Sequence, residues 1–178
     1  VISAFGVKYS ESGFDQDFYH TVAVTLKFPG DRLAQFNVGY FGGPINSYVA
    51  IGTKGSVTMD PAYMFGEPLK QTVAVGQDKK EHRFKNTDHF GGELKYFSDC
   101  ILQNRDPEPD GEEGFADVRV LEGILTALDT GKSVKLPPFT RSKRINIEDQ
   151  RMELKAVSTP ELVNASNPGK GVDKQPKN

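Results

Sequence analysis

Apolar residues in the first half of this chain recur at every second position, in blocks joined by turn chemistry, and beyond Asp88 the repeat lengthens to that of a helix. That order predicts strands first and helices after them, an α+β layering rather than a doubly wound sheet. From Phe18 to Phe28, the side chains of Val22, Val24, Leu26 and Phe28 point to one face and those of Ala23, Thr25 and Lys27 to the other, the pattern of a half-buried strand. Pro29-Gly30-Asp31-Arg32 is turn chemistry, and Leu33 to Phe41 resumes the alternation, so the two segments read as a hairpin. Ser47 to Ile51 and Ser56 to Met59 flank Gly52-Thr53-Lys54-Gly55, and Leu69 to Val75 and Glu81 to Lys85 flank a turn around Gly76-Gln77-Asp78. Consecutive hairpins predict a mostly antiparallel sheet.

The helical half is written with its own punctuation. Phe90, Leu94, Phe97 and Ile101 fall on one stripe, with Thr87 or Asp88 as the cap. Asp106-Pro107-Glu108-Pro109 ends that helix, and Asp110 followed by Glu113 reads as the capping box of a second. Phe115, Val118, Leu121, Leu125 and Leu128 are its expected buried stripe, and Gly131 stands where a left-handed cap closes a helix. Val134 to Leu136 reads as a short further strand. The expected fold is therefore α+β, an open-faced, mostly antiparallel sheet with two main helices packed on one face. Its other face carries Thr25, Gln35 and Asn37, which suits a wet, a substrate-facing or a subunit-facing surface. Beyond Phe139 periodicity fades, so residues 1–145 are expected to form the domain and residues 146–178 an extended, partly disordered tail.

At 178 residues the chain is long enough for one domain with a real core. Hydrophobic residues at 37%, charged residues at 26% and a mean hydropathy of -0.49 place it among water-soluble globular chains. No run approaches the roughly 18 apolar residues of a membrane span. Val1 opens into VISAFGV without an initiator methionine, leaving room for an earlier segment and any targeting signal on it; a cytoplasmic location is expected, a periplasmic one stays open. A net charge of -2 with scattered basic residues argues against a nucleic-acid partner. The single Cys100 has no internal disulfide partner and reads as a buried, inert thiol.

Tests for chemistry return little. The chain has no G-x-G-x-x-G after a strand, no G-x-x-x-x-G-K-[ST] and no G-x-S-x-G, so it shows neither a phosphate cradle nor a nucleophile elbow. His20, His82 and His89 lack metal-ligand spacing, and no metal is expected. His20 opens a strand, whereas His89 follows Asp88 at a helix start, where backbone N–H groups and the dipole orient polar ligands. A capping Asp88 beside a solvated His89 accounts for the same residues. Glu112, Glu113, Asp117 and Arg119 read as a capping cluster with spaced ion pairs rather than as catalysts.

HTVAVTLKFPGDRLAQF, YVAIGTKGSVTMDPAYMF and ELKYFSDCILQNRDPEPDGEEGFADVRVLEGILTAL, taken in that order, resemble the Gfo/Idh/MocA oxidoreductases, and more narrowly the relatives of glucose–fructose oxidoreductase. The likeness covers residues 1 to about 145, with the G-T-K-G segment and the Y-F-S-D-C-I-L…P-E-P-x-G-x-E-G segment distinctive as a pair. The resemblance implies a two-domain enzyme in which an amino-terminal Rossmann domain binds NAD or NADP. An α+β domain then lines the site of a carbohydrate or polyol substrate and builds a homo-oligomer through its open sheet face. Only the second domain matches this chain, so the resemblance places catalytic and cofactor-binding residues before Val1 and implies that the chain alone is catalytically incomplete and binds no NAD(P). By position it points to Tyr40, Asn46, Tyr48, Asp88 and His89 as substrate-lining candidates, although Tyr40 and Tyr48 fit equally as core aromatics. The chain departs from the pattern at Tyr19-His20, where relatives carry acidic residues, and at Ile145, where they carry proline. The competing reading is a stand-alone, non-catalytic module that dimerises through its sheet.

Overall fold

The computed structural model describes residues 1–8, 18–40, 42–143, 146, 148 and 154. Phe41, Ile145 and most of the expected tail lie outside them. The fold is α+β: among the described residues, seven antiparallel strands come first and two helices follow. The chain divides into two compact units, Val1–Gly43 with Asp106–Asn146, and Pro44–Arg105 with Ile147–Asn178.

The first unit holds a sheet in the order β1 (Ile2–Lys8), β2 (Tyr19–Phe28), β3 (Arg32–Gly39), with α2 (Gly111–Thr130) packed on β1. In register, Ala4 pairs with Val24 and Val24 with Phe36, so the expected alternation of β2 holds. Ile2, Ala4 and Val24 are buried against Ile124 and Ala127, with Val22, Leu26, Val120, Leu128, Val134 and Leu136 around them. Val134 reaches β1 through a single bridge to Ile2 rather than as a full strand. β1 is an addition to the expected set, for its inward residues, Ile2, Ala4 and Gly6, shrink along the strand and weaken the alternating signal.

The buried stripe of α2 differs from the expected one. Gly123, Ile124 and Ala127 face the sheet, whereas Phe115, Val118, Leu121 and Leu125 are all about half exposed; only Leu128 of the expected set packs on the core. The cause is close approach: a Cβ on Gly123 would stand 2.7 Å from Ile2 Cδ1 and 2.9 Å from Leu136 Cδ2, so the smallest arc of the helix is the one that lets its backbone settle on β1. Asp110 and Gly131 end α2 as expected, but the capping box is not completed, because Glu113 turns to Arg141 instead. Asp110 Oδ1 accepts from Glu112 N and Glu113 N at 3.0 and 3.1 Å, and Gly131 caps the far end at φ 64°.

The second unit holds a sheet in the order β4 (Tyr48–Gly52), β5 (Gly55–Met59), β6 (Lys70–Val75), β7 (Asp78–Arg83), followed by α1 (His89–Leu102). The expected single sheet is thus two among the described residues. Between β3 and β4 the chain carries Gly42-Gly43-Pro44 instead of a tight hairpin turn, and the unit boundary falls there. Each helix belongs to a different unit. Cys100 is buried, as expected, while the apolar stripe Phe90, Leu94, Phe97 and Ile101 stays exposed.

Candidate functional site

Asn46, Tyr48, Asp88 and His89 all belong to the second unit, and the loop of residues 60–67 between β5 and β6 touches Asn46, Tyr48 and His89. Asn46 lies just before β4 and turns its side chain inward on the loop: Oδ1 accepts from Ala62 N at 2.8 Å and from Tyr63 N at 3.3 Å. Its backbone oxygen also accepts from Ala62 N, at 2.8 Å. These bonds bring the Tyr63 ring to 6.0 Å from the Tyr48 ring. At the far side of the loop, Asn86 Nδ2 donates to Gly66 O at 2.7 Å. The preceding residue, Phe65, meets the His89 imidazole edge-on at 5.7 Å and the Phe90 ring at 5.0 Å. Two asparagines separated from their partners by 16 and 20 residues therefore hold one aromatic loop between β4 and the start of α1.

Asp88 is the helix cap: Oδ1 accepts from Gly91 N at 2.8 Å, and its own N–H donates to Leu154 O at 3.2 Å. Its carboxylate is therefore engaged by the protein, which leaves His89, on the exposed first turn, as the freer polar group of the pair. Tyr40 belongs to the first unit, where its ring lies edge-on to Phe18 at 6.0 Å. Neither Tyr40 nor Tyr48 is a core aromatic, at 75% and 43% exposure. Tyr63, Phe65 and Asn86 were not anticipated as neighbours of these residues. The available signal was an aromatic pair set between Pro61 and Gly66-Glu67-Pro68, a segment too punctuated to be a strand.

Glu112 and Glu113, read as part of a capping cluster, find their partners beyond the helix. Glu112 Oε2 accepts from both Ser142 N and Ser142 Oγ at 2.8 Å, and Glu113 pairs with Arg141 rather than completing a capping box. Arg119 donates to Pro137 O at 2.7 Å and covers the Phe139 ring at 4.8 Å. His20 lies against Thr21 and His82 against Phe84, each on a different strand, and among the described residues no three His, Cys, Asp or Glu side chains converge as metal ligands. Nor is any described helix long and apolar enough to cross a membrane.

Comparison with known proteins is decisive at the level of family. Residues 6–136 match the C-terminal alpha/beta domain of the Gfo/Idh/MocA oxidoreductase family. The chain belongs to that family. Its match runs through both units, so the Gfo/Idh/MocA domain includes the aromatic loop and the whole of α2, while Arg141 and Ser142 lie just past the matched residues. A D-xylose 1-dehydrogenase [NADP(+)] from Haloarcula marismortui is 27% identical over 115 residues, covering 64% of this chain and 32% of that protein. The aldose-aldose oxidoreductase of Caulobacter crescentus, solved with glycerol, superposes with a TM-score of 0.68 at 26% identity over 76% of this chain and 40% of that one. Bacillus subtilis yvaA shares the fold, with a TM-score of 0.57 at 16% identity over 76% of this chain and 45% of that one. The Gfo/Idh/MocA chain thus spans less than half the length of each.

Proposed function

We propose that this chain is the substrate-facing and assembly domain, residues 1–145 with a tail over 146–178, of an NAD(P)-dependent oxidoreductase that oxidises a CH–OH carbon of a sugar or polyol to the carbonyl, or runs that reaction in reverse. The carrying observation is the gathering of Asn46, Tyr48 and His89 around one loop in a Gfo/Idh/MocA domain, with Asp88 capping the helix that His89 opens. Relatives named for xylose and aldose chemistry support the sugar. In this reading Tyr48 and His89 offer hydroxyl and imidazole groups to substrate hydroxyls, while Asn46 and Asp88 hold the backbone that presents them.

The nicotinamide cofactor does not fit the described residues by the usual helix-start route. A phosphate needs free N–H groups at a helix N-terminus, and α1 and α2 already have an aspartate in that place: Asp88 on Gly91 N, Asp110 on Glu112 N and Glu113 N. The cofactor is therefore assigned to a Rossmann domain elsewhere in the whole protein. When bound there it supplies hydride transfer, and this domain supplies orientation of the sugar. The whole protein, given NAD+ or NADP+ and a panel of aldoses and polyols, is expected to reduce the cofactor with at least one of them. This chain alone is expected to bind neither dinucleotide in a calorimetric titration. No turnover with any sugar would sink the reading, and micromolar dinucleotide binding by this chain would sink the division of labour.

The outward face of the first sheet supports an assembly role. Phe5, Val7 and Leu33 lie there at 76%, 58% and 66% exposure, among the small and polar groups Ser3, Ala23, Thr25 and Gln35. A two-fold pairing of such faces buries about 2,000 Å² or more if the contact is obligate. Sedimentation is expected to show a dimer or larger species; a strict monomer at high concentration would reject the pairing. The stand-alone dimerisation module remains the second reading, favoured by this same face.

A further inference from the structure

We propose that Tyr63 and Phe65 form a stacking subsite for the apolar face of a ring-form sugar, and that this domain therefore selects cyclic aldoses over open-chain polyols. The inference rests on the proposed function and goes further, from sugar or polyol to one ring form and to residues outside the original candidates. Tyr63 and Phe65 are 63% and 61% exposed although their loop is pinned on both sides. Large aromatic surface in water has a hydration cost, and here it is displayed by a loop whose backbone is held in place rather than free to fold the rings away. Asn46 secures Ala62 and Tyr63, and Asn86 secures Gly66. Asn86 does so with its Oδ1 buried and without a hydrogen-bond partner, so the anchor is kept despite the cost of an orphaned acceptor.

The surroundings match an amphipathic ring. An aldopyranose carries C–H groups on one face and hydroxyls around its rim. The faces of aromatic rings are electron-rich and attract the weakly positive C–H edge, whereas hydroxyls need donors and acceptors beside them. Tyr63 lies next to Tyr48, and Phe65 next to His89, so each ring has a polar neighbour: a phenol or an imidazole. An acyclic polyol has the hydroxyls but no flat C–H face, and it gains only the polar half of such a site. Asn46 and Asn86 are positioning residues in this scheme, acting through the loop.

The test uses the whole protein with an aldopyranose and nicotinamide cofactor. Phe65→Leu and Tyr63→Leu keep apolar bulk and remove the ring; each is expected to raise the sugar KM about tenfold while kcat stays within about twofold. Phe65→Tyr and Tyr63→Phe keep the ring and are expected to hold the parent KM, which a general packing defect would not distinguish from the leucine variants. The parent protein is expected to show a lower KM for the aldopyranose than for the matching polyol, and the leucine variants to reduce that difference. Leucine and aromatic variants with equal KM, in a protein that still turns over sugars, overturn the subsite and leave the proposed function standing. A parent protein inert to every aldose overturns both.

Discussion

Gly55→Val is expected to separate β5 from β6 at the hairpin end and to destabilise the second unit by about 3 kcal/mol or more. A Cβ at this position runs into the carbonyl oxygen of Ala74 and comes within 3.1 Å of both the Ala74 carbonyl carbon and Val75 Cγ2. The obstacle is backbone on the neighbouring strand, which cannot swing aside as a side-chain tip does. The strands must part, and the pairs Ser56↔Ala74 and Val57↔Val73 go with them. Gly52→Ala provides the control on the other arm of the same turn, since its Cβ meets Gly55 O at 3.7 Å, an ordinary contact. Hydrogen exchange at the amides of Gly55–Met59 and Lys70–Val75 reads the difference: fast in Gly55→Val, near parental in Gly52→Ala. Equal protection in both variants would show that the close approach carries no energetic weight.

Ile124→Ala is expected to cost about 2–5 kcal/mol in the first unit, whereas Leu121→Ala and Leu125→Ala on the same helix cost less than about 1 kcal/mol. Ile124 is 8% exposed and lies in the layer of Ile2, Ala4 and Val24, so truncation leaves a cavity that the sheet cannot fill. Leu121 and Leu125 are 59% and 54% exposed, and truncation removes surface that water already touches. Urea unfolding of this chain gives the comparison through shifts in midpoint at constant slope. A larger loss at Leu121 or Leu125 than at Ile124 would mean that the other arc of α2 faces the sheet.

The two predictions mark where the sequence was informative and where it was not. The turn containing Gly52 and Gly55 was legible, but the demand for glycine at Gly55 specifically comes from Ala74, on a strand that no local pattern connects to it. On α2, Asp110 and Gly131 announce both ends, yet the helix carries two apolar arcs, and periodicity favoured the arc with the larger residues. Packing chose the arc with Gly123 and Ala127, because distance of approach governed the contact. The same limit applies at the site. Asn46, Tyr48, Asp88 and His89 were named from resemblance, whereas Tyr63, Phe65 and Asn86 enter only through hydrogen bonds and ring contacts made across the loop.

The amino-acid sequence alone determined the α+β class, six of the seven described strands, the terminal residues Asp110 and Gly131 of α2, the buried Cys100 and the family. Those features depend on groups satisfied within a few residues of one another, or on motifs that survive as strings. The tertiary structure alone decided the division into two sheets, the face of α2 that is buried, the clasp of Glu112 and Glu113 on Ser142 and Arg141, and the aromatic loop held by Asn46 and Asn86. Each of these is a choice among surfaces that are equally apolar or equally polar by composition, and only the partner's shape and position separate them.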